Sequence, residues 1–266
     1  MKLDPSKYYR MPLAMGPVLD RKELKLAYPQ VEVLAYQFLT EPDALATLLP
    51  DCYRPGREPI VTVLFSMNNG LSFMAGGGYR IATILLSARF DGKQDHIEGD
   101  YIVVMFENDT WPIIGGREDL GVPKIYADIS NIKIMPDGHL RCEASLAGHM
   151  LFGLDVPALK GQLSLVKVIA SRQINSRPWL GYKYIPSLDG PPDAVYPTIT
   201  YNQSRLDKLW MGKKASFRFG IARYEDIGVV KNLMDALATL TIIRPIQVVH
   251  FTGSAVLRYD LSRRLK

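Results

Sequence analysis

Long uninterrupted apolar runs are missing from this 266-residue chain. None approaches the roughly 18 residues needed to span a bilayer, so no membrane partner is expected. The opening Met1-Lys2-Leu3-Asp4-Pro5-Ser6-Lys7 leads into tyrosines and prolines, not into an apolar segment with a small-residue cleavage site. That makes a poor signal peptide and sets a cytoplasmic expectation. Cysteine is scarce. Cys52 and Cys142 are the two present, and in a cytoplasmic chain they are expected as buried free thiols. The four histidines, His96, His139, His149 and His250, lack any metal-site spacing and have no cysteine pair near them, so no metal is expected. Basic charge is in small excess, +5 overall. It concentrates in residues 205–214 and in Arg263-Arg264-Leu265-Lys266, clusters too short for a nucleic-acid stripe and expected as solvated loop and tail. Gly76-Gly77-Gly78 has no following Lys-Ser/Thr and reads as a turn, not a phosphate loop. A Gly-x-Ser-x-Gly elbow is absent as well, which removes the usual serine hydrolase signal.

What the chain does have is β-strand material. Hydrophobic residues make up 47% and charged ones 22%, an ordinary globular composition. Residues 31–39 (VEVLAYQFL), 60–67 (IVTVLFSM), 81–90 (IATILLSARF) and 101–106 (YIVVMF) are rich in β-branched and aromatic residues and bounded by turn formers. Further strands are expected over 124–134, 140–147, 196–201, 215–219 and 246–259. Helix signals are few. Residues 40–49 carry a threonine at the N-cap position, a proline in the first turn and an apolar stripe. A second, weaker helix is expected over 226–238. The turn cluster at 188–193 is flanked by strand-like sequence on both sides, so one domain over residues 1–266 is expected.

One segment carries a chemical signal. Residues 106–128 contain Gly116-Arg117-Glu118-Asp119-Leu120-Gly121-Val122-Pro123-Lys124, with Ile125 and Tyr126 following. Lysine is among the residues least often buried, yet Lys124 has apolar neighbours on both sides. On that pattern alone, a lysine on the solvent face of an edge strand is the default reading.

The spacing is more specific than the pattern. Gly116-Arg117-Glu118 followed, after four residues, by Pro123-Lys124 resembles the acetoacetate decarboxylase family, whose reactive lysine sits at this position. Gly99-Asp100-Tyr101 with Met105 resembles the preceding strand of the family. Asp43-Ala44-Leu45, Tyr184-Ile185-Pro186 and Ala255-Val256-Leu257-Arg258-Tyr259 extend the resemblance more weakly over most of the chain. It implies an α+β fold, a single β-rich domain whose antiparallel sheets form a barrel-like cavity with few helices. It also implies a cofactor-independent lyase, acting on a small-molecule keto acid through a Schiff base on Lys124, and a homo-oligomer.

A buried amine is more readily neutral, and the neutral amine is the nucleophile. Val122, Ile125 and Met105 are expected to supply the apolar setting. Arg117 could orient a substrate carboxylate and Glu118 could shuttle a proton, or the two could form an ion pair holding the loop. Arg80 is a further carboxylate-binding candidate, and Glu107 a candidate acid on the preceding strand. Tyr126 and Tyr259 are expected to pack.

The family pattern is departed from at four places. Ile125 stands where the second lysine is expected, and Ile81 and Leu64 where two acids are. Val31 stands near the position of an arginine used for the carboxylate. Decarboxylation of a β-keto acid is the first expectation. Condensation and dehydration of a 2-oxo acid such as pyruvate is the alternative, and a non-catalytic barrel that binds a small molecule is a third.

Overall fold

The structure, a computed structural model, describes residues 2–20, 25–159, 161 and 177–266. Its strands begin with β1 (Lys7–Tyr8), β2 (Leu19–Asp20), β3 (Lys25–Leu39), β4 (Tyr53–Pro55), β5 (Ile60–Asn69) and β6 (Tyr79–Asp91). They continue with β7 (His96–Glu107), β8 (Lys124–Tyr126), β9 (Asp128–Ile129), β10 (Lys133–Ile134) and β11 (Leu140–Leu146). The last are β12 (His149–Val156), β13 (Trp179–Ile185), β14 (Ala194–Gly212), β15 (Ser216–Phe219) and β16 (Arg244–Arg264). Helices are short: α1 (Pro42–Ala46), α2 (Thr110–Gly115), α3 (Tyr224–Ile227) and α4 (Val230–Ala238), with a π-helical turn over Gly116–Leu120. Among the described residues, no helix is long and apolar enough to cross a membrane.

The larger sheet runs β4-β6-β5-β3-β16-β14-β13-β7-β8, and an additional β6–β7 pairing closes it into a ring. Most pairs are antiparallel, but β13 and β8 both lie parallel to β7 and share one of its edges. β13 takes that edge at Asp100 and Tyr101, while β8 takes it at Met105, Phe106 and Glu107. Lys124, the first residue of β8, is thereby paired with Met105 at the end of β7. A smaller sheet, β10-β11-β12-β15 with β9 on β11, packs outside the ring.

Strands β3, β5, β6 and β7 are covered on both faces, and this explains why they read as near-continuous apolar runs rather than as clean alternation. Outward residues such as Tyr36, Phe65, Ile84 and Phe106 join Phe152 and Leu154 of the smaller sheet and Leu237 of α4 in the main core. Inward residues on the same strands, two positions apart, line the interior of the ring.

Several elements differ from the sequence expectations. Helix α1 is confined to Pro42–Ala46 and has Glu41, not Thr40, at its N-cap. Thr40 is buried, its amide donating to the Pro59 carbonyl at the end of β3. The helix expected over 226–238 divides at Gly228, whose positive φ of 57° ends α3 before α4 begins. Residues 124–134 form three short strands, not one.

Of the basic residues expected as loop, Arg205 and Lys208 belong instead to β14, exposed while Leu209 is buried, and Lys213 and Lys214 lie in the loop before β15. Alternation with the long partner β16 holds Arg205 and Lys208 in a strand, despite their charge density. Arg263 and Arg264 likewise lie in β16, and Leu265 is buried. Both cysteines are free; Cys142 is buried and Cys52 only half-buried.

Candidate active site

The segment that carries Lys124 is shaped by two turns and two glycines. Asp109 caps α2, its carboxylate accepting from the Trp111 amide at 2.8 Å. The helix passes through the π-helical turn, and Gly121, at φ 71°, reverses the chain. A left-handed backbone of this kind favours glycine. Val122 and Pro123 then deliver the chain to β8, where the Met105 amide donates to the Pro123 carbonyl at 3.1 Å. Gly116 leaves room for the lysine: a Cβ there would stand 2.4 Å from Cδ and Cε of Lys124.

Lys124 is buried, with 9% of its surface exposed. Its Nζ lies 2.7 Å from Oε1 of Glu107 and donates to the Pro112 carbonyl at 3.1 Å. Glu107 is wholly buried, and neither carboxylate oxygen accepts an aligned hydrogen bond among the described residues. Burial pushes its pKa up; the Lys124 ammonium opposes this without reversing it. Desolvation thus favours the protonated, neutral form of the Glu107 carboxyl.

Lys124 borders a cavity of about 100 Å³ inside the ring, and Glu107 lies behind it, outside the lining. Its wall includes Val31, Leu64 and Ile81, the three positions where the resemblance leads one to expect an arginine and two acids. Those departures therefore lie together on one surface, and they make it apolar. Ile81 is also directly opposite Glu107 across the β6–β7 ladder. The carboxylate of this chain stands one strand over from the position where the family pattern places it.

The other sequence candidates are dispersed. Met105 lines the cavity. Arg117 donates from Nη1 to the Lys124 carbonyl at 3.0 Å and thus braces the backbone of the lysine. Glu118 lines neither this cavity nor the smaller one beside it; its carbonyl accepts from Nζ of Lys183. Arg80 projects from the face of β6 opposite Tyr79 and Ile81, where its Nε donates to Asn131, so its guanidinium is outside the cavity. Tyr126 is exposed, and Tyr259 is buried with its hydroxyl 3.5 Å from Asp119.

Three features were not anticipated. Tyr28 and Tyr79 join hydroxyls at 3.1 Å beside the cavity, and burial pushes Tyr28 up to about 12, so both phenols keep their protons near neutrality. Ser66 donates to Asn68 at 3.0 Å, and Nδ2 of Asn68 has no partner among the described residues. Arg10 is buried against α2, paired with Asp119 at 2.6 Å. Tyr8-Tyr9-Arg10 carries no motif, and the reach of Arg10 across more than a hundred residues to Asp119 is invisible to local pattern.

Comparison with known proteins bears on the family and the fold. The acetoacetate decarboxylase family model matches residues 10–260. Acetoacetate decarboxylase 1 of Bradyrhizobium diazoefficiens is 25% identical over 260 residues, covering 94% of this chain and 90% of that protein. The crystal structure of acetoacetate decarboxylase from Legionella pneumophila superposes with a TM-score of 0.71 at 22% identity, over 91% of this chain and 87% of that one. The enduracididine biosynthesis enzyme MppR, complexed with pyruvate, superposes with a TM-score of 0.73 at 15% identity, over 99% and 98% of the two chains. With a buried lysine after Gly116-Arg117-Glu118, a closed β ring around it and a family match over nearly its whole length, the chain belongs to the acetoacetate decarboxylase family.

Proposed function

We propose that the protein is a Schiff-base lyase, decarboxylating a β-keto acid through an iminium on Lys124. The observation that carries the reading is the 2.7 Å pairing of the Lys124 amine with a wholly buried carboxylate at the edge of an apolar cavity. Transfer of one proton from the ammonium to Glu107 leaves a neutral amine, the form that attacks a carbonyl. Addition to the ketone gives a carbinolamine. Glu107, now an acid, donates its proton to the departing hydroxyl; water leaves and the iminium forms. The bond between the α-carbon and the carboxylate then breaks. Its electron pair enters the enamine, neutralising the nitrogen, and CO2 departs. Protonation at carbon and hydrolysis by water release the ketone and regenerate Lys124. Arg117 serves as a positioning residue through the Lys124 carbonyl.

Borohydride reduction tests this directly. Incubation with acetoacetate followed by reduction is expected to place a stable adduct on the Lys124 peptide, with CO2 released when borohydride is left out. Lys124→Ala is expected to lose both signals. Failure to trap any keto acid on Lys124 of the folded protein would sink the enzyme reading and leave a binding barrel. Condensation of a 2-oxo acid is the second reading, and the pyruvate-bound relative is what favours it. It predicts a trapped pyruvate adduct and no CO2.

A further inference from the structure

Lys124 borders a second, smaller cavity of about 60 Å³. Tyr28, Leu120, Lys124 and Leu257 line both cavities, so the lysine stands in the wall between them. At about 60 Å³ against about 100 Å³, the smaller one has room for a carboxylate and is the tighter of the two. Arg10 lines it. Its side chain is 8% exposed, Nη2 is taken by Asp119, and Nε has no hydrogen-bond partner among the described residues.

A buried N–H without an acceptor is costly, and here it belongs to a residue that lines a small cavity together with Lys124. The two cations also lean on consecutive glycines. A Cβ on Gly115 would stand 2.5 Å from Nη2 of Arg10, and one on Gly116 would stand 2.8 Å from Nζ of Lys124. Trp111 backs the guanidinium, 5.3 Å from ring centroid to Cζ.

The larger cavity offers an acid group no guanidinium; its donor without a partner among the described residues, Nδ2 of Asn68, is neutral. Among the described residues that line it, Lys124 is the sole cation, and its polar side chains, Ser66, Asn68 and Asn202 among them, are neutral. A carboxylate placed there would be stripped of water with no counter-charge beyond the reacting amine itself. Val31, Leu64 and Ile81 make that side suitable for hydrocarbon instead.

We infer that Arg10 is the carboxylate anchor of the site. Its Nε–H donates to the acid group of a keto acid in the smaller cavity, the carbonyl carbon lies at Lys124, and the remaining carbon chain extends into the larger cavity. The substrate class is a keto acid with an apolar tail beyond the carbonyl. This inference rests on the Schiff-base reading of Lys124, and it places the guanidinium in the segment before β2 rather than on β3.

The test compares acetoacetate with its neutral ester, methyl acetoacetate, as borohydride-trapped adducts on the Lys124 peptide over a concentration series. Wild type, Arg10→Leu and the double variant Arg10→Leu/Asp119→Leu are measured, with folding checked by circular dichroism. The double variant avoids leaving Asp119 as an uncompensated buried charge. Wild type is expected to half-saturate at a lower concentration with the acid than with the ester. Both variants are expected to lose at least tenfold of that preference. A preference unchanged within twofold in a folded variant overturns the inference, as does equal weakening of acid and ester, which marks a purely structural ion pair. If wild type traps neither probe, the Schiff-base reading fails and takes this inference with it. A lost or retained preference bears on Arg10 alone.

Discussion

At the scale of single residues, the site is a problem in charge placed where water is not. Glu107 has no exposed surface and no aligned hydrogen-bond donor beyond its contact with Lys124. Its carboxyl is held above the ordinary carboxylate range by burial. A group whose pKa is raised on folding contributes its full stability below the unfolded value, and that contribution drains away as pH climbs through the folded value. Glu107→Gln cannot ionise and escapes that loss. The stability of E107Q relative to wild type is therefore expected to rise as pH moves from about 4 toward neutrality, read as the difference in Tm at each pH. A constant difference would contradict the assignment. The same variant is expected to slow turnover by roughly 10²–10⁴, the usual contribution of a positioned acid–base group.

At the scale of elements, the end of β16 is tied to the turn between β6 and β7. Asp95 accepts from both Nη1 and Nη2 of Arg263, at 2.8 and 2.7 Å, and from the Lys266 amide at 2.8 Å. The Lys266 carbonyl accepts in return from the amides of Gln94 and Asp95. Hydrogen bonds from Arg263 hold the Asp95 carboxyl down to about 2. A depressed carboxylate contributes stability above its ordinary value near 3.8 and loses it as pH falls toward 2. Asp95→Asn is expected to flatten that acid limb of the Tm profile while leaving the profile above pH 5 parallel to wild type. An acid limb as steep as wild type's would show that the clasp contributes nothing.

At the scale of the whole molecule, what was legible followed from what is local. Strands β5 and β6 were found within two residues of their ends because both of their faces are apolar. Lys124 stood out because the Gly116-Arg117-Glu118 to Pro123-Lys124 spacing resembles that of a known family, and this spacing sits within one turn-and-strand unit. Strand β12, with its central glycine, and β13 were missed, since neither shows strong alternation. The ring closures β3–β16 and β13–β7 join strands far apart in sequence, and no local pattern encodes them. Arg10 escaped for the same reason. Arg80 illustrates the reverse hazard: beside Tyr79 in sequence, it faces the other way, because a strand turns successive side chains to opposite sides.

That geometry has a consequence for Ile81 and Glu107, which face each other across β6 and β7. Directly opposed positions of an antiparallel ladder bring their Cβ atoms to about 5 Å, so the two sites are nearly interchangeable addresses for one functional group. The exchange Ile81→Glu/Glu107→Ile keeps the composition of the strand pair and moves its acid by a single strand spacing. It is expected to retain more Lys124 trapping than Glu107→Ile alone, measured as adduct yield at fixed acetoacetate. In a wall built this way, a catalytic group can migrate between neighbouring strands while the lysine it serves stays in place.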